Sequence, residues 1–467
     1  FDVFDVAFFI DDDNRFYLYW GLSSRNPIYG IELDVNNNFQ PIGERVDLLT
    51  ANYEEHGWEM RPFDKISEKA PWIEGAWVNK FNGKYYLQYA GPGTQFDEYA
   101  DGIYVADQPL GPYDYQPYSP FSFKPTGFAP GAGHGSTFTD KFGNLWHFAT
   151  AVICDLHWVE RRISLFPVFL KKSGQLQSHN AWGDYPLVVP QAKTTMVEDY
   201  RSGWQLLSRG KVASASSTLQ DNDVNLAFDE NIKTYWIASS TQPGEWLSVD
   251  LGEPMTIEAF QVNFAEAGTE IFGYQSSDYH QYLLEYSNDK QNWQTLIDKR
   301  NNTTSIPHDY EQLGQPVKAR YIKITNQYVP GKYFAIRDLR IFGRGEGEPP
   351  AKTRFTKWVR NRFNQRYFEL GWQPIDNATG YLITYGTAKD ELFNHFTINE
   401  GEQFAAPYLN NEIKIPTPIK IKRGEQYSAP YLNKGVDYYF SIQSFNENGI
   451  SEKSKVLHLP ATGAWNE

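Results

Sequence analysis

The chain has 467 residues, which at roughly 150 residues per domain predicts about three domains. Its formal net charge of -14 argues against nucleic acid or an anionic membrane as a partner, because both would repel it. No apolar run reaches the roughly 18 residues of a membrane-spanning helix, so membrane insertion is not expected. The single cysteine, Cys154, has no partner for an internal disulfide, and stability is expected to come from packed cores and bound ions.

The first predicted elements are two strands joined by an acidic turn. Asp5 stands just before the apolar strand at residues 6–10, and a second strand follows at residues 15–21. The three aspartates at positions 11 to 13, with Asn14, are predicted to form a solvated hairpin turn. Short polar side chains bond to their own backbone and tolerate left-handed angles. A metal-binding loop is the alternative interpretation of these aspartates.

A single carboxylic acid, Glu74, stands among aromatic side chains in residues 70–94. Its neighbours Trp72 and Trp77 favour a cleft, because indole faces are apolar platforms for sugar rings and a surround of low dielectric constant raises a carboxyl pKa. Such an acid keeps a proton that it can give to a leaving group. The alternative is a solvated glutamate beside two core tryptophans.

The strand that follows is predicted at residues 84–89, with alternate side chains buried. Asn82 and Gly83 precede it and are typical of a tight hairpin turn. Glu74 is therefore expected at the mouth of a half-buried hairpin.

Three further segments complete a recognisable set: GAGHGS at residues 131–136, DKFGNLWH at 140–147 and VERRISLFPV at 159–168. Together with the two acidic stretches, they resemble glycoside hydrolase family 43 over residues 1–190. The resemblance implies an all-β fold, a five-bladed β-propeller, and hydrolysis of glycosidic bonds with inversion of configuration.

The resemblance also implies roles for individual side chains. Glu74 corresponds to the general acid, and Asp5 to the carboxylate that orients this acid and tunes its pKa. Arg161 corresponds to an arginine that contacts substrate hydroxyls, although a surface salt bridge with Glu160 is an alternative. His134 corresponds to a histidine on the propeller axis, where many relatives bind calcium or a water cluster, and a hydrogen-bonded core histidine is the alternative.

One departure from the family pattern concerns the general base. In the family it is an aspartate in a first-blade motif upstream of the Asp5 segment, and the sequence begins at Phe1 without it. Residues 1–190 are also too short for five four-stranded blades, and an open propeller would expose strand edges. The front of the propeller is therefore expected to lie upstream. A degenerate relative, or Asp5 acting as the base, are the alternatives.

Residues 207–345 follow a connector at residues 191–206 and carry short strands at regular spacing, which indicates a sandwich. The segments VASASS, LAFDE and EWLSVDLG resemble the discoidin, or coagulation factor C-type, jelly roll that includes carbohydrate-binding module family 32. Such modules often hold structural calcium, which implies Asp229 and Asp338 as ligands, and turn-forming aspartates are the alternative. Candidate sugar contacts, with plain surface residues as the alternative, are Tyr274, Tyr279, His280 and Tyr328.

Residues 346–467 resemble a fibronectin type III sandwich with Trp372 as a core tryptophan. The leading interpretation is a secreted, periplasmic or cell-surface glycosidase that acts on plant-type polysaccharide side chains, as an α-L-arabinofuranosidase or β-D-xylosidase. Aromatic residues at 16% agree with stacked sugars. A galactan-directed glycosidase, a non-catalytic glycan-binding protein and an adhesion or scaffolding protein are the alternatives. Structural calcium is the one ion expected, and no organic cofactor is.

Overall fold

We describe a computed structural model of the chain that covers residues 3–60, 71–153, 160–269, 278–399, 403–405, 418–420, 427–429 and 432–466. Cys154 and the candidate sugar contact Tyr274 lie outside these residues. Within them the fold is all-β, as predicted, and the helical segments are short 3₁₀ turns at Val35–Asn37, Gly57–Glu59, Val197–Tyr200 and Val224–Ala227. In this part of the chain no helix has the length and apolar character needed to cross a membrane.

Three four-stranded antiparallel sheets succeed one another in the first part of the chain, each with its strands in chain order, as in propeller blades. The first sheet contains β1 (Ala7–Ile10), β2 (Phe16–Trp20), β3 (Ile28–Asp34) and β4 (Gln40–Leu49). The second contains β5 (Glu74–Phe81), β6 (Lys84–Gly91), β7 (Ala100–Ala106) and β8 (Asp114–Tyr115). The third contains β9 (Gly133–Thr139), β10 (Leu145–Val152), β11 (Arg161–Leu170) and β12 (Leu176–Ser178). The predicted count of five blades is not confirmed.

The acidic turn between β1 and β2 forms as predicted, with Asn14 in the left-handed region at φ 62°. Its predicted exposure is wrong for Asp11, which is buried. The carboxylate of Asp11 accepts hydrogen bonds of 2.5 Å from Lys80 Nζ and from the Tyr85 hydroxyl. Burial alone would raise the pKa of Asp11, but these two hydrogen bonds lower it overall. The turn therefore ties the first sheet to the second.

The predicted turn at Asn82 and Gly83 joins β5 to β6, and both residues have positive φ. The prediction that β6 is half buried is wrong, because its side chains are buried on both faces. On one face Tyr85 meets Asp11 of the first sheet, and on the other Gln88 accepts a hydrogen bond of 2.8 Å from the Thr137 hydroxyl of the third. An inner strand between two packed sheets has no solvated face.

An eight-stranded antiparallel sheet follows, and its long strands bend at register shifts. It contains β13 (Gln205–Leu206), β14 (Val212–Ala215), β15 (Trp236–Ile237), β16 (Trp246–Phe264), β17 (Gln281–Ser287), β18 (Gln294–Asp298), β19 (His308–Tyr328) and β20 (Ala335–Arg344). The sequence predicts short strands in this region, but β16 runs without a break over 19 residues. The register shift between Asp250 and Met255 marks where the sequence pattern breaks. We call this unit the jelly roll.

The described residues of the last part of the chain form two antiparallel sheets and a separate strand pair. The strands are β21 (Phe355–Arg360), β22 (Phe368–Trp372), β23 (Gly380–Gly386), β24 (Asn394–Asn399), β25 (Gln403–Ala405), β26 (Pro418–Lys420), β27 (Tyr427–Ala429), β28 (Tyr438–Asn446), β29 (Gly449–Ile450), β30 (Leu457–Leu459) and β31 (Ala464–Asn466). Trp372 is buried, as predicted, and its ring lies 5.4 Å from that of Tyr381. The assignment to fibronectin type III stays a prediction.

The C-terminal sandwich packs directly on the loop that follows the second sheet. Asn433 Nδ2 donates to the carbonyl oxygens of Pro117 and Ser119 at 3.1 and 2.8 Å, and Asn394 Nδ2 donates to that of Pro120 at 2.9 Å. These buried amides satisfy loop carbonyls that would otherwise lose their hydrogen bonds. The sandwich therefore supports the blades that carry the candidate site.

Candidate active site

Glu74 is the first residue of β5, and a bulge directs its side chain. Glu74 pairs with Ala90 of β6, and the register then shifts before Trp77 pairs with Gln88. Gly75 stands in this shift with φ +65°. A Cβ atom at Gly75 would lie 2.8 Å from Cγ of His134, so glycine allows β5 and β9 to meet closely. Bulges of this kind commonly re-aim side chains beside active sites.

Three side chains predicted separately from the sequence come together at this point. One ligand atom each from Asp5, Glu74 and His134 lie within 4.8 Å of one another. Asp5 and His134 both have left-handed backbones, with φ of 52° and 50°. A left-handed backbone is costly for residues with a Cβ atom and persists where surrounding structure enforces it. The surrounding structure thus holds Asp5 and His134 in an unfavourable backbone conformation that brings their side chains close to Glu74.

The backbone of His134 is fixed by a carboxylate that sequence reasoning missed. Asp101, on β7, is 1% exposed and accepts hydrogen bonds from the backbone N–H groups of His134 and Gly135 at 2.8 and 2.9 Å. His147 Nε2 lies 3.0 Å from the same carboxylate. The signal available in the sequence was an acid inside an otherwise apolar strand. Asp101 therefore holds the left-handed turn that aims His134 at Glu74.

The surroundings of Glu74 raise its pKa. The side chain is buried at 9% exposure, and the burial raises the pKa. A short hydrogen bond from the Tyr99 hydroxyl and the charge of His134 lower it, the charge of Asp5 raises it, and Arg161 lowers it. The net shift is upward, so the carboxyl keeps its proton to higher pH than an exposed glutamate does. Tyr99 is a second group that sequence reasoning missed, because it lies 25 residues from Glu74.

Arg161, the first residue of β11, is exposed and its charge reaches Glu74. Its Nη1 donates to the Thr94 hydroxyl at 3.4 Å, which is a long hydrogen bond. The alternative expected from the sequence was a salt bridge to Glu160, but Glu160 pairs with Arg162 at 3.7 Å and with Arg337 at 3.4 Å. The guanidinium of Arg161 is thus presented to solvent beside the buried acid.

The two tryptophans differ in their surroundings. Trp72 is 40% exposed, whereas Trp77 is partly buried and donates its indole N–H to the Thr137 carbonyl at 3.0 Å. Trp77 therefore links β5 to β9 of the next sheet. Trp72 therefore has the more accessible indole face of the two.

The donor set of the trio does not suit calcium directly. Calcium takes hard oxygen ligands, and one of the three groups is an imidazole. A bound cation would also lower the pKa of Glu74, against the shift that burial imposes. Within the described residues, His134 Nδ1 and Asp5 Oδ2 are buried without a hydrogen-bond partner, as expected of groups that await a polar ligand.

The predicted calcium ligands of the jelly roll lie near each other. Burial raises the pKa of Asp229 to about 6, and its oxygens accept hydrogen bonds from Asn231 N and the Thr234 hydroxyl. Burial, then the charges of Glu230 and Asp229, raise the pKa of Asp338 well above its usual value. A divalent cation would favour the charged form of both carboxylates.

The candidate sugar contacts of the jelly roll separate into two groups. His280 is buried and stacks on Phe264 with 3.7 Å between ring centroids, so it belongs to the core. Tyr279 and Tyr328 form a pair with centroids 4.9 Å apart, and Tyr328 is exposed. This tyrosine pair is the part of the predicted surface that stays available to a ligand.

Two parts of the chain match models of known protein families. Residues 2–175 match the family model described as Glycosyl hydrolases family 43, and residues 212–339 match that described as F5/8 type C domain. The blade-like part of this all-β protein thus resembles proteins of the glycoside hydrolase class. In particular, it is similar to glycosyl hydrolases of family 43, and the jelly roll that follows it is similar to F5/8 type C domains. Both resemblances read from the sequence are confirmed.

Individual relatives cover smaller parts of the chain. An arabinoxylan arabinofuranohydrolase of Paenibacillus polymyxa is 31% identical over 154 residues, 31% of this chain and 22% of the relative. A β-xylosidase of Xylanibacter ruminicola is 29% identical over 129 residues, 24% of this chain and 39% of the relative. The chain thus spans well under half the length of these relatives. A solved structure titled "Glycoside hydrolase" is 17% identical, with a TM-score of 0.41, and covers 73% of this chain and 70% of its own.

Proposed function

We propose that this protein is an inverting glycoside hydrolase that removes pentose units from plant-type polysaccharides, with Glu74 as its general acid. One observation carries the proposal: a buried carboxyl with a raised pKa is aimed by a bulge toward Asp5 and His134. A general acid must hold its proton at the working pH and give it to the leaving oxygen in the transition state. The raised pKa meets the first requirement.

The short distance between Asp5 and Glu74 supports an orienting role for Asp5. In inverting glycosidases the acid and base carboxyls lie roughly 6.5 to 9.5 Å apart, to leave room for a water molecule. Ligand atoms of Asp5 and Glu74 lie within 4.8 Å. This close approach favours Asp5 as the orienting carboxylate, and its negative charge raises the pKa of the acid. We assign no general base among the described residues.

Arg161 is the proposed contact for substrate hydroxyls. An arginine presents several N–H donors in a fixed plane and stays charged at every working pH. Its exposure and its electrostatic effect on Glu74 support this role. The same charge opposes the rise in the pKa of Glu74. Arg161 therefore has two proposed roles, to bind substrate hydroxyls and to limit the pKa of the acid.

The named relatives support this substrate class; they are an arabinoxylan arabinofuranohydrolase, a β-xylosidase and a xylosidase/arabinosidase. We expect release of nitrophenol from the aryl α-L-arabinofuranoside or β-D-xyloside, and little from the β-D-galactoside. Proton NMR of the first product should show an inverted anomeric centre. Galactoside cleavage alone would support the galactan-directed alternative. Glycan binding without release from any substrate would support the non-catalytic alternative.

We further propose structural calcium at Asp229 and Asp338, and action outside the cytoplasm, where polysaccharides are found. The two crowded carboxylates with raised pKa support the first proposal. An unfolding temperature that is independent of calcium would argue against it. Recovery of the native protein only from the cytoplasmic fraction would argue against the second.

Substitution at Gly75 is expected to damage the site as well as the fold. Gly75→Ala places a Cβ atom 2.8 to 3.1 Å from the ring and backbone of His134, in a left-handed conformation that costs about 1–2 kcal/mol by itself. Displacement of His134 or Glu74 should lower kcat/KM by on the order of 10²-fold. Gly83→Ala is the matched control, because Gly83 has φ +76° in the same hairpin with open space around it. Equal losses in the two variants would show that the close approach of β5 and β9 is irrelevant to activity.

A further inference from the structure

The strand that carries Arg161 begins against the jelly roll. Arg162, the next residue of β11, donates through Nε to Nε2 of His308 at 2.8 Å and through Nη2 to Oε2 of Glu266 at 3.1 Å. His308 and Glu266 belong to the jelly roll, 146 and 104 residues further along the chain. A residue beside the proposed substrate contact is thus bound by a different domain.

The residue on the other side of Arg161 is held in the same way. Glu160 is buried, and its Oε1 accepts a hydrogen bond of 3.4 Å from Nη2 of Arg337. Arg337 is itself fixed, because it donates to the carbonyl of Ile232 at 2.7 Å. Both chain neighbours of Arg161 therefore have partners in the jelly roll.

We call the contacts of Glu160 and Arg162 with the jelly roll the seam. The arginines of the seam determine which of its groups carry protons. An arginine only donates hydrogen bonds, so Nε2 of His308 accepts from Arg162 and the proton lies on Nδ1. That Nδ1 lies 2.9 Å from Oδ1 of Asn263, which accepts it. Burial, with the nearby charges of Arg162 and Arg337, lowers the pKa of His308 to about 3. The imidazole is neutral at working pH, and the geometry of the seam is constant.

A second clamp holds the loop that Arg161 contacts. Lys233 of the jelly roll forms an ion pair with Asp97, which lies three residues after Thr94. Thr94 accepts the long hydrogen bond of 3.4 Å from Arg161. The jelly roll thus contacts both the start of β11, which carries Arg161, and the loop of Thr94, to which Arg161 donates.

We propose that Glu266 and His308 of the jelly roll are positioning residues for Arg161, so that the jelly roll forms part of the catalytic unit and is more than an attached binding module. The side chain of Arg161 is exposed and long, and its direction depends on the backbone at residues 160–162. Removal of the anchors on Arg162 lets this backbone move. The guanidinium then meets the substrate hydroxyls less often. The inference depends on the proposed function, in which Arg161 binds substrate.

A double-mutant cycle with Arg161 tests the proposal. Glu266→Gln keeps the shape of the side chain and removes its charge, and it is expected to raise KM on the preferred aryl pentoside by about 5- to 10-fold with kcat changed less. Arg161→Ala should raise KM by more. In the Arg161→Ala background, Glu266→Gln should have almost no further effect, because the group that it positions is gone. His308→Gln should reproduce this pattern if the first variant folds poorly.

The matched control is Glu447→Gln, which removes an ion pair of 2.9 Å between Lys211 of the jelly roll and the C-terminal sandwich. This pair also joins two domains but does not touch β11, so KM should be unchanged and no coupling with Arg161 should appear. Additive effects of Glu266→Gln and Arg161→Ala would overturn the positioning role. An unchanged KM in Arg161→Ala would overturn its premise. If Glu74→Gln nevertheless had strongly reduced turnover, the proposed hydrolase function would still be supported.

Discussion

Glu74→Gln is expected to lower turnover of pentosides with poor leaving groups by about 10²- to 10⁴-fold, the range that general acid catalysis contributes. Glutamine has the same shape as glutamate but has no proton to give to the leaving oxygen. KM should change little, because Glu74 acts on the leaving group while Arg161 binds hydroxyls. Substrates with activated leaving groups need little protonation, so the loss should shrink for dinitrophenyl pentosides. Steady-state kinetics across a series of leaving groups measure both effects.

Glu59→Gln is the matched control for this substitution. Glu59 is also a buried glutamate with a tyrosine hydrogen bond, in this case 2.5 Å from the Tyr89 hydroxyl. Its substitution should lower the unfolding temperature without any dependence of turnover on the leaving group. If the loss in Glu74→Gln were the same for every leaving group, the acid assignment would be wrong.

Asp5→Asn is expected to move the alkaline limb of the pH profile to lower pH. A general acid works in its protonated form, so kcat/KM falls as pH rises through its pKa. Burial raises the pKa of Glu74, and the negative charge of Asp5 raises it further. Asparagine removes that charge, so the pKa falls and the acid loses its proton at lower pH. Each pH unit of displacement costs about tenfold in rate on that limb.

The choice of asparagine keeps the backbone intact, because asparagine tolerates the left-handed conformation that Asp5 adopts at φ 52°. Tyr99→Phe should have the opposite effect, since the hydrogen bond from Tyr99 lowers the pKa of Glu74. The alkaline limb of that variant should move to higher pH. Displacement of both profiles in the same direction would contradict the electrostatic account of Glu74.

Local signals in the sequence predicted much of the site. The Asn82 and Gly83 pair fixed a tight turn, since both residues adopt positive φ easily, and β5 and β6 meet there as expected. The motif resemblance selected Asp5, Glu74 and His134 from three distant segments, and the structure brings their ligand atoms together. These predictions depended on residue type and short spacing, which the chain displays directly.

The groups that sequence reasoning missed act through long-range contacts. Asp101 lies 33 residues from His134, and nothing near it in the sequence shows that it binds that turn. The same limit explains the wrong prediction for Asp11. Its sequence context indicates a solvated turn residue, but Lys80 and Tyr85 of the next sheet pack on it and donate hydrogen bonds to it. Strand β6 is buried on both faces because a neighbouring sheet covers each face. The alternating sequence of β6 gives no sign of these two sheets.

The sequence by itself determined where the turns fall, which residues carry acids and that the chain is built of β-strands, because each depends on local backbone preference and residue chemistry. The tertiary structure decided the pKa of Glu74, because it buries this carboxyl and brings near it four groups that are far apart in the chain: Asp5, Tyr99, His134 and Arg161. It also decided that the jelly roll contacts both chain neighbours of Arg161. Desolvation and Coulomb energies depend on distance in space, and only the fold sets that distance.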